Sequence, residues 1–206
     1  MVSPVYHKLK KSRMLSYDLG HCALQTIDKK CKFNVLPGKS KTSRSKKESE
    51  YGKQLKMKQM LRFYYGVSEK QFVNLYKEAD RRQGSTATNL LLLLESRLDN
   101  LVYRMGFAST RPEARQMVSH GHFIVDGKKI KIPSYRVLLE SKVELIEKSK
   151  QMSKIASAIE ISKQRPSFDW LNIDHDAFFG CYTSYPTLEQ LPPEFKPNLV
   201  IELYSK

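Results

Sequence analysis

The chain has 206 residues, and its 36 Lys and Arg residues exceed its 21 Asp and Glu residues to give a formal net charge of +15. A cationic excess of this size favours a polyanionic partner, of which nucleic acid is the leading candidate. The hydrophobic share of 40% supports a buried core in one large domain or two small ones. Because no apolar run reaches 18 residues, no membrane span is expected.

The charge is unevenly distributed along the chain. Residues 1–60 hold 15 Lys and Arg against 4 acidic residues, whereas residues 167–206 hold 2 against 6. The N-terminal half is therefore expected to hold phosphates, and the C-terminal segment to pack on protein. The three cysteines, an odd number with no close pair, predict a reducing compartment, and the start lacks the apolar core of a secretion signal, so we expect a cytoplasmic protein.

The first fifty residues show no sustained period, and the run "LPGKSKTSRSKKESE" predicts a basic arm that becomes ordered on a polyanion, with a solvated linker as the alternative. Helical patterns begin at Tyr51 and end at Gly66. Ser68 and Gln71 are spaced as a capping box for a second helix that ends at Gly84. The leucine-rich stretch 86–107 predicts one continuous, buried third helix.

The stretch "STRPEARQMVSHGHFIVDGKKI" at 109–130 predicts a helix followed by a hairpin. Thr110 and Glu113 are spaced as a capping box, and Gly121 fits a left-handed cap after a helix over 111–120. The dipeptide Asp126-Gly127 is a strong hairpin signal, and "KVELIE" predicts a further strand. Another helix is expected over 148–164, and then an irregular tail that closes in a short strand at "NLVIELYSK". Trp170 is interpreted as a packing anchor.

Catalytic and metal-binding patterns are weak. No phosphate loop, nucleophile elbow or zinc-protease motif is present, and His120 and His122 fit a helix terminus better than a catalytic pair. Cys22 and Cys31, with His21 and His7, lack the paired spacing of a structural zinc site. The sequence therefore predicts no cofactor, no metal and no enzymatic activity.

A phosphate-binding face is predicted on the helix over 111–120. Arg111 and Arg115 are expected to share an exposed edge that Ser119 and His120 continue, and Lys128, Lys129 and Lys131 extend the charge onto the hairpin. An ordinary solvated helix face is the alternative. A short helix backed by a hairpin suits the shape and backbone of folded RNA better than a DNA groove.

Residues 93–137, "LLESRLDNLVYRMGFASTRPEARQMVSHGHFIVDGKKIKIPSYRV", closely resemble the RNA-binding domain named after small-subunit ribosomal protein S-four. The flanking "SEYGKQLKMKQMLRFYYGVSEKQFVNLYKEADRRQGSTATNLLLLLESRLDN" and the terminal "LVIELYSK" resemble the bacterial-type S-four ribosomal family. Leu9, Ser12 and Thr26 stand where some members carry zinc-binding cysteines, which again predicts no zinc.

The resemblance implies an α+β fold with a mainly helical N-terminal domain, a basic extended arm and a small helix-and-antiparallel-sheet RNA-binding module. The expected divisions are a basic arm and helical domain over 1–94, the RNA-binding domain over 95–155, and a C-terminal helix end and tail over 156–206 that packs back on the protein.

The resemblance also implies a function without turnover in the cytoplasm, within the ribosome. This function comprises direct binding to 16S ribosomal RNA, early assembly of the subunit body and a contribution to translational accuracy. The implied partners are protein S-five, with S-twelve near it, and messenger RNA where it enters the subunit, without DNA or membrane. The alternatives are an RNA-modifying enzyme and a messenger RNA regulator with the same module, although the roughly 46 residues after 160 are too few for a catalytic domain.

The residues expected to contact RNA are the exposed cations and polar groups of the arm, the helices and the hairpin. They are Lys8, Lys10, Lys11, Arg13, Lys46, Lys47, Lys53, Lys56, Arg62, Arg81, Arg104, Arg111, Arg115, Ser119, His120 and Lys128.

Overall fold

The computed structural model describes residues 8–20, 36–38, 48–165 and 167–205. The chain forms two compact units, one of residues 1–90 with 193–206 and one of residues 91–192. Most of the predicted basic arm, with Lys46 and Lys47, lies outside the described residues, and so do Cys22 and Cys31. The described part combines helices with one antiparallel sheet, so the predicted α+β class is confirmed.

The described elements follow one another in this order: α1 (Lys8–Leu15), α2 (Glu50–Tyr64), α3 (Glu69–Arg81), α4 (Thr86–Glu95), α5 (Leu98–Arg104), α6 (Arg111–His120), β1 (Phe123–Val125), β2 (Lys128–Ile130), β3 (Lys142–Leu145), α7 (Glu147–Lys150), α8 (Ser153–Ser162), β4 (Leu171–Asp174), β5 (Phe179–Tyr182), a short 3-10 turn (Leu188–Gln190) and α9 (Pro197–Tyr204).

Side-chain caps fix where α2 and α3 begin. The Ser49 hydroxyl accepts from the N–H of Gly52 at 3.2 Å, and Ser68 and Gln71 form the predicted reciprocal capping box of α3. Such a box satisfies two of the donors that a helix start leaves unpaired. The predicted end of the first helix at Gly66 and start of a second at Ser68 are confirmed, because α2 and α3 are separate helices with Gly66 between them at a φ of 63°.

The C-terminal end is a helix, so the predicted short strand there is wrong. Pro197 occupies the first turn of α9, where its fixed φ suits a helix start. Val200 is buried, α9 packs against α2, and the side-chain amide of Gln54 donates to the Glu202 carboxylate at 2.9 Å. A short stretch of mixed apolar pattern fits either structure locally, and packing against α2 selects the helix.

The predicted continuous helix over 86–107 is also wrong, because the chain breaks between α4 and α5. Arg97 is extended and forms an isolated bridge with Arg136. The N–H groups of Leu98 and Asp99 donate to the carbonyls of Tyr135, at 2.9 Å, and Pro133, at 3.1 Å. These loop carbonyls satisfy donors at the start of α5, which makes the break stable.

The sheet has five strands in the order β2-β1-β3-β5-β4, and each neighbouring pair is antiparallel. The predicted hairpin turn is confirmed, since Asp126 and Gly127 both have positive φ, as a two-residue type I′ turn requires. The strand at "KVELIE" is confirmed as β3. The tail predicted as irregular instead supplies β4 and β5, which extend the sheet beyond β3.

The core of the second unit lies between the sheet and helices α5 and α6. Phe107, Phe123, Trp170 and Tyr182 are fully buried in it, which confirms Trp170 as a packing anchor. The predicted helix over 148–164 is corrected to two helices, α7 and α8, because Met152 is extended and begins α8, which buries Ile155 and Ala158.

Candidate RNA interface

Helix α6 has the predicted Thr110 and Gly121 caps, but the reciprocal half of the predicted capping box is not formed, because Glu113 accepts from Ser109 rather than from Thr110. Thr110 accepts from the N–H of Glu113 at 3.4 Å, and the Glu113 carboxylate accepts from the N–H of Ser109 at 2.9 Å. Gly121 ends the helix at a φ of 75°, and Ala114, Met117 and Val118 are buried. The helix therefore turns one fixed face to the core and leaves Ser119 and His120 exposed at its C-terminal end.

Arg111 does not share the exposed edge that was predicted for it. Only 5% of the residue is exposed, its Nε donates to Oδ1 of Asn100 at 3.0 Å, and its guanidinium lies 4.2 Å from the centre of the Tyr103 ring. A side chain in the first turn of a helix points back toward the N-terminus, here into the core beside α5. Arg111 is therefore a structural residue, and we leave it out of the proposed RNA surface.

Arg104 is buried as well, and it holds a carboxylate rather than a phosphate. Its Nη2 and Nε donate to the two oxygens of Glu95 at 2.7 and 3.2 Å, and Asn100 donates to Glu95 at 2.6 Å. The guanidinium also lies 4.7 Å from the centre of the Phe168 ring. We correct the expected RNA contact of Arg104 on this basis, since the fork geometry is used inside the protein.

A second buried pair lies at the break between α4 and α5. Arg97 donates through Nε and Nη2 to the carboxylate of Asp99 at 3.0 and 2.7 Å. The sequence pattern did not single out Glu95, Arg97 or Asp99, and it indicated Arg104 only as an RNA contact. The signal that could have found them is the spacing of Glu95, Arg97, Asp99, Asn100 and Arg104 within a stretch that is otherwise apolar, because buried charges must pair with one another.

A group of exposed cations gathers where α6 ends and the β1–β2 hairpin begins. We name it the hairpin cation cluster and define it as Ser119, His120, Lys128, Lys129 and Lys131. All five residues are exposed. No ion pair to the three lysines is seen within the described residues. The lysines of the cluster are therefore positive charges that the carboxylates of the described residues do not neutralise.

Gly121 lies between the helix residues of the cluster, Ser119 and His120, and its hairpin lysines. A Cβ atom placed there would lie 2.6 Å from Cε of Lys129 and 3.1 Å from Cε of Lys131. The two lysine side chains thus pass directly over the helix end, where backbone carbonyls carry a partial negative charge that favours cations. An added Cβ would displace the flexible ends of these lysines, and the φ of 75° at position 121 independently favours glycine.

His122 lies beside the cluster but points toward α7. Its Nδ1 is 2.8 Å from the Ser149 hydroxyl, and its ring centre is 6.0 Å from that of His120. Burial lowers the pKa of His122, and the neighbouring His120 and Lys129 lower it further. The surroundings of His122 therefore disfavour its protonated form, while His120 lies exposed at the surface.

Arg115 lies between the core and the cluster. It is half-buried, and the Ser119 hydroxyl donates to its backbone carbonyl at 2.9 Å. It belongs to the same helix face as the predicted phosphate edge, and that edge now consists of Arg115, Ser119 and His120 without Arg111.

The helical unit presents a separate set of cations. Lys10, Lys53, Lys56 and Arg81 are exposed, and Lys53 pairs with Glu50 at 2.7 Å. Lys11 lies 4.7 Å from the centre of the Phe63 ring, and Arg13 is half-buried on the same helix. Lys8 begins α1, and its side chain lies outside the described residues.

Arg62 serves a carboxylate of its own unit. Arg62 and Lys58 both donate to Glu69, Lys58 at 2.6 Å. Burial alone would raise the pKa of Glu69, but the hydrogen bonds from Lys58 and Arg62 outweigh it and lower that pKa below its usual value. This pairing ties α2 to α3, so Arg62 contributes less free charge to a phosphate surface than Lys53 or Lys56 does.

Chemistry beyond ion pairing is sparse in the parts of the chain that the structure covers. No cluster of three or more metal-ligating side chains occurs among the described residues. In the same residues, no helix is both long enough and apolar enough to cross a membrane. What the described surface offers is exposed positive charge on two folded units.

A helix followed by a hairpin, with cations gathered at their junction, defines a small RNA-binding module of the S4 class. The model of the S4 domain matches residues 96–143, and the model of the ribosomal protein S4/S9 N-terminal domain matches residues 2–95. The two matches adjoin and together cover more than half of the chain.

Curated relatives extend the similarity to nearly the whole chain. The chain is 46% identical over 200 residues to small ribosomal subunit protein uS4 of Coxiella burnetii and 48% identical over 200 residues to that of Hydrogenovibrio crunogenus. Each comparison covers 97% of this chain and 97% of the relative. The uS4 protein of Vesicomyosocius okutanii is 47% identical over 184 residues, which is 89% of this chain and 88% of the relative. The chain belongs to the uS4 family of small ribosomal subunit proteins.

Proposed function

We propose that this chain is a structural component of the small ribosomal subunit that binds 16S ribosomal RNA directly and without turnover. In this role it takes part in early assembly of the subunit body and contributes to translational accuracy. The relatives carry the name of a small-subunit protein, and the net charge of +15 suits a polyanionic partner.

The hairpin cation cluster is the observation that carries the RNA-binding part of the proposal. Lys129 and Lys131 pass over the end of α6 where His120 is exposed, and neighbouring carboxylates of the described residues do not pair with these lysines. Each phosphate that such a surface neutralises releases counterions, so binding is driven strongly at low salt. Contacts of this kind fix the position and orientation of the RNA without reading its bases.

The exposed cations of the helical unit supply a second contact. Lys10, Lys53, Lys56 and Arg81 stand on α1, α2 and α3 of that unit. In the proposal each of the two units contacts RNA through its own surface, which lets one chain hold more than one RNA segment.

The C-terminal segment is proposed to face protein rather than RNA. Residues 167–206 carry 2 Lys and Arg against 6 acidic residues, and Tyr185 and Leu188 are exposed within it. An acidic surface is repelled by phosphates and attracts basic proteins. We assign this segment to contacts with protein S-five. The chain as a whole is proposed to lie near S-twelve and near messenger RNA where it enters the subunit, in the cytoplasm.

Sedimentation tests the ribosomal assignment. A lysate is run on a sucrose gradient, and the protein is followed by immunoblot. Co-migration with small subunits is expected, and release of the protein by a high-salt wash is expected from charge-driven binding. Protein that stays at the top of the gradient at low salt would refute the assignment.

Filter binding tests the RNA surface itself. The full chain is titrated against the 5′ domain of 16S ribosomal RNA at several salt concentrations. Replacing Lys129 and Lys131 with Gln is expected to lower the log–log salt slope by roughly 0.7–0.9 per lysine. Lys154→Gln, an exposed lysine of the same unit outside the cluster, is the matched control. If the unmodified chain, the Lys129 and Lys131 variant and Lys154→Gln all have the same salt slope, the cluster does not belong to the RNA interface.

A further inference from the structure

The loop between β2 and β3 displays three large apolar side chains in a mainly basic setting, and Leu138 is the most exposed of them at 69%. Ile132 is 60% exposed and Tyr135 is 37% exposed. Residues 126–141 contain four Lys and Arg residues against two acidic residues, Asp126 and Glu140, at the ends of the stretch. An exposed apolar side chain alone is ordinary, but Ile132 and Tyr135 lie within four residues of each other, and each is next to a cation in the sequence, a composition that matches surfaces that bind nucleobases.

The backbone of this loop is held rigidly. The carbonyls of Tyr135 and Pro133 accept from the start of α5, and the N–H of Val137 donates to the Ser96 carbonyl at 2.9 Å. The N–H of Tyr135 also donates to the carbonyl of Ile132 at 3.0 Å, which closes a turn between the two exposed side chains. Pro133 and Val137 are buried.

This rigidity bears on binding. A loop tied at several points to buried structure loses little conformational entropy when a ligand docks on it. The exposure of Ile132 and Tyr135 is thus a fixed property of the folded chain, and the two side chains present a preformed apolar surface.

The loop continues directly from the hairpin cation cluster. Lys131 belongs to the cluster and immediately precedes Ile132. A phosphate held by Lys129 and Lys131 therefore brings the adjoining nucleotide within reach of the loop. In a duplex the faces of the bases are covered by stacking, so only an unpaired or bulged nucleotide has a face to offer.

We propose that Tyr135 and Ile132 form a stacking platform for an unpaired base of the bound RNA, next to the phosphates held by Lys129 and Lys131. This inference rests on the proposed function and deepens it, because it names the kind of RNA structure that the surface prefers. Stacking on an aromatic ring is tolerant of sequence, so the platform selects for an exposed base rather than for one particular base.

The test compares Tyr135→Ala and Tyr135→Phe with the unmodified full chain, bound to the 5′ domain of 16S ribosomal RNA at fixed salt. Tyr135→Ala is expected to bind about tenfold more weakly, within the range that loss of one stacked base produces. Tyr135→Phe keeps the ring and is expected to bind within about twofold of the unmodified chain. The salt slope of Tyr135→Ala should be unchanged, because stacking neutralises no phosphate.

Tyr185→Ala is the matched control, since Tyr185 is an exposed tyrosine of the same unit, 49% exposed, in the acidic segment. It should bind naked RNA like the unmodified chain. Chemical probing of the RNA at saturating protein should show a small set of unpaired nucleotides that the unmodified chain protects and Tyr135→Ala does not. Ile132→Ser is the second variant should Tyr135→Ala fold poorly, and it is expected to bind a few-fold more weakly.

Three outcomes would overturn the platform. One is equal affinity with an equal probing pattern for Tyr135→Ala and the unmodified chain. The second is a loss of affinity that Tyr135→Phe shares in full. The third is normal binding of Tyr135→Ala to naked RNA with failure to enter subunits, which would show that a protein occupies the loop. Failure of the proposed function is distinct, because then the unmodified chain itself would not bind the RNA in a salt-dependent way.

Discussion

Glu95 and Arg104 form a buried ion pair with two contacts, in which both carboxylate oxygens receive a donor from the guanidinium. None of Glu95 is exposed to solvent, so its charge depends on Arg104 and Asn100 for compensation. A charge stripped of its partner inside a protein costs far more than the same change at the surface.

Arg104→Met is therefore expected to lower the free energy of unfolding by about 3–5 kcal/mol, because it strands the Glu95 carboxylate. Urea unfolding followed by fluorescence measures this well, since the chain has a single tryptophan and Trp170 is buried in the same core. The double variant with Glu95→Gln should lose less than the single one. If the double variant is no more stable than Arg104→Met, the stranded charge is not the cause.

Gly121→Ala is expected to destabilise the chain and weaken RNA binding together. A left-handed backbone costs a residue with a side chain roughly 1–2 kcal/mol, and the new Cβ would displace Lys129 and Lys131. Gly127→Ala is the control, because Gly127 has a similar φ of 77° and no atom within 4 Å of the added Cβ. We expect similar thermal destabilisation of the two variants but a larger affinity loss for Gly121→Ala. If Gly121→Ala and Gly127→Ala bind the RNA with equal affinity, the position of Lys129 and Lys131 over Gly121 does not matter for RNA binding.

Charge reversal should separate Arg111 from Lys128, although both were predicted to contact RNA. Lys128→Glu is expected to leave the free energy of unfolding within about 0.5 kcal/mol and to lower RNA affinity. Arg111→Glu is expected to unfold the RNA-binding unit, because it removes the Asn100 contact and buries a second carboxylate near Glu95. Circular dichroism and filter binding on the same samples measure both effects. A stable Arg111→Glu chain with weak RNA binding would restore the original prediction for Arg111.

The stability of the chain should depend on pH through His122. Burial lowers the folded pKa of His122 below its ordinary value of 6.5, so the unfolded chain binds a proton more readily than the folded one. The contribution of neutral His122 to the free energy of unfolding is therefore fully present above about pH 7.5. It is lost as the pH falls through 6.5 toward the lowered pKa of the folded chain. His122→Asn is expected to reduce the dependence of stability on pH in this range.

Unfolding midpoints at several pH values measure this effect. Lys154→Asn, at an exposed position, is the control for a change to Asn elsewhere in the unit. His175, whose pKa is also lowered by burial, contributes in the same direction, so some pH dependence remains in His122→Asn. A curve unchanged by His122→Asn would contradict the prediction.

Local signals in the sequence identified several elements correctly. Ser68 with Gln71, Thr110 with Glu113, and Asp126-Gly127 each use side chains or backbone preferences that act within a few residues. Such interactions are formed by the segment itself, so its sequence is sufficient to predict them. The uneven charge and the family resemblance likewise depend only on the order of the residues.

Long-range contacts decided the rest. The break at Arg97 is held by carbonyls from a loop more than thirty residues later, and α9 is helical where it packs against α2. Strands β4 and β5 join the sheet only because β3 offers an edge to β5.

The candidate site shows the same division. The sequence by itself determined that this chain is basic, carries a helix-and-hairpin RNA-binding module and belongs with a ribosomal family. Only the tertiary structure decided which cations face solvent. It turned Arg104 and Arg111 inward to carboxylate and amide partners and gathered Lys129 and Lys131 over Gly121. The physical reason is that periodicity predicts the face of a helix, whereas the partner of a buried charge comes from another element of the fold.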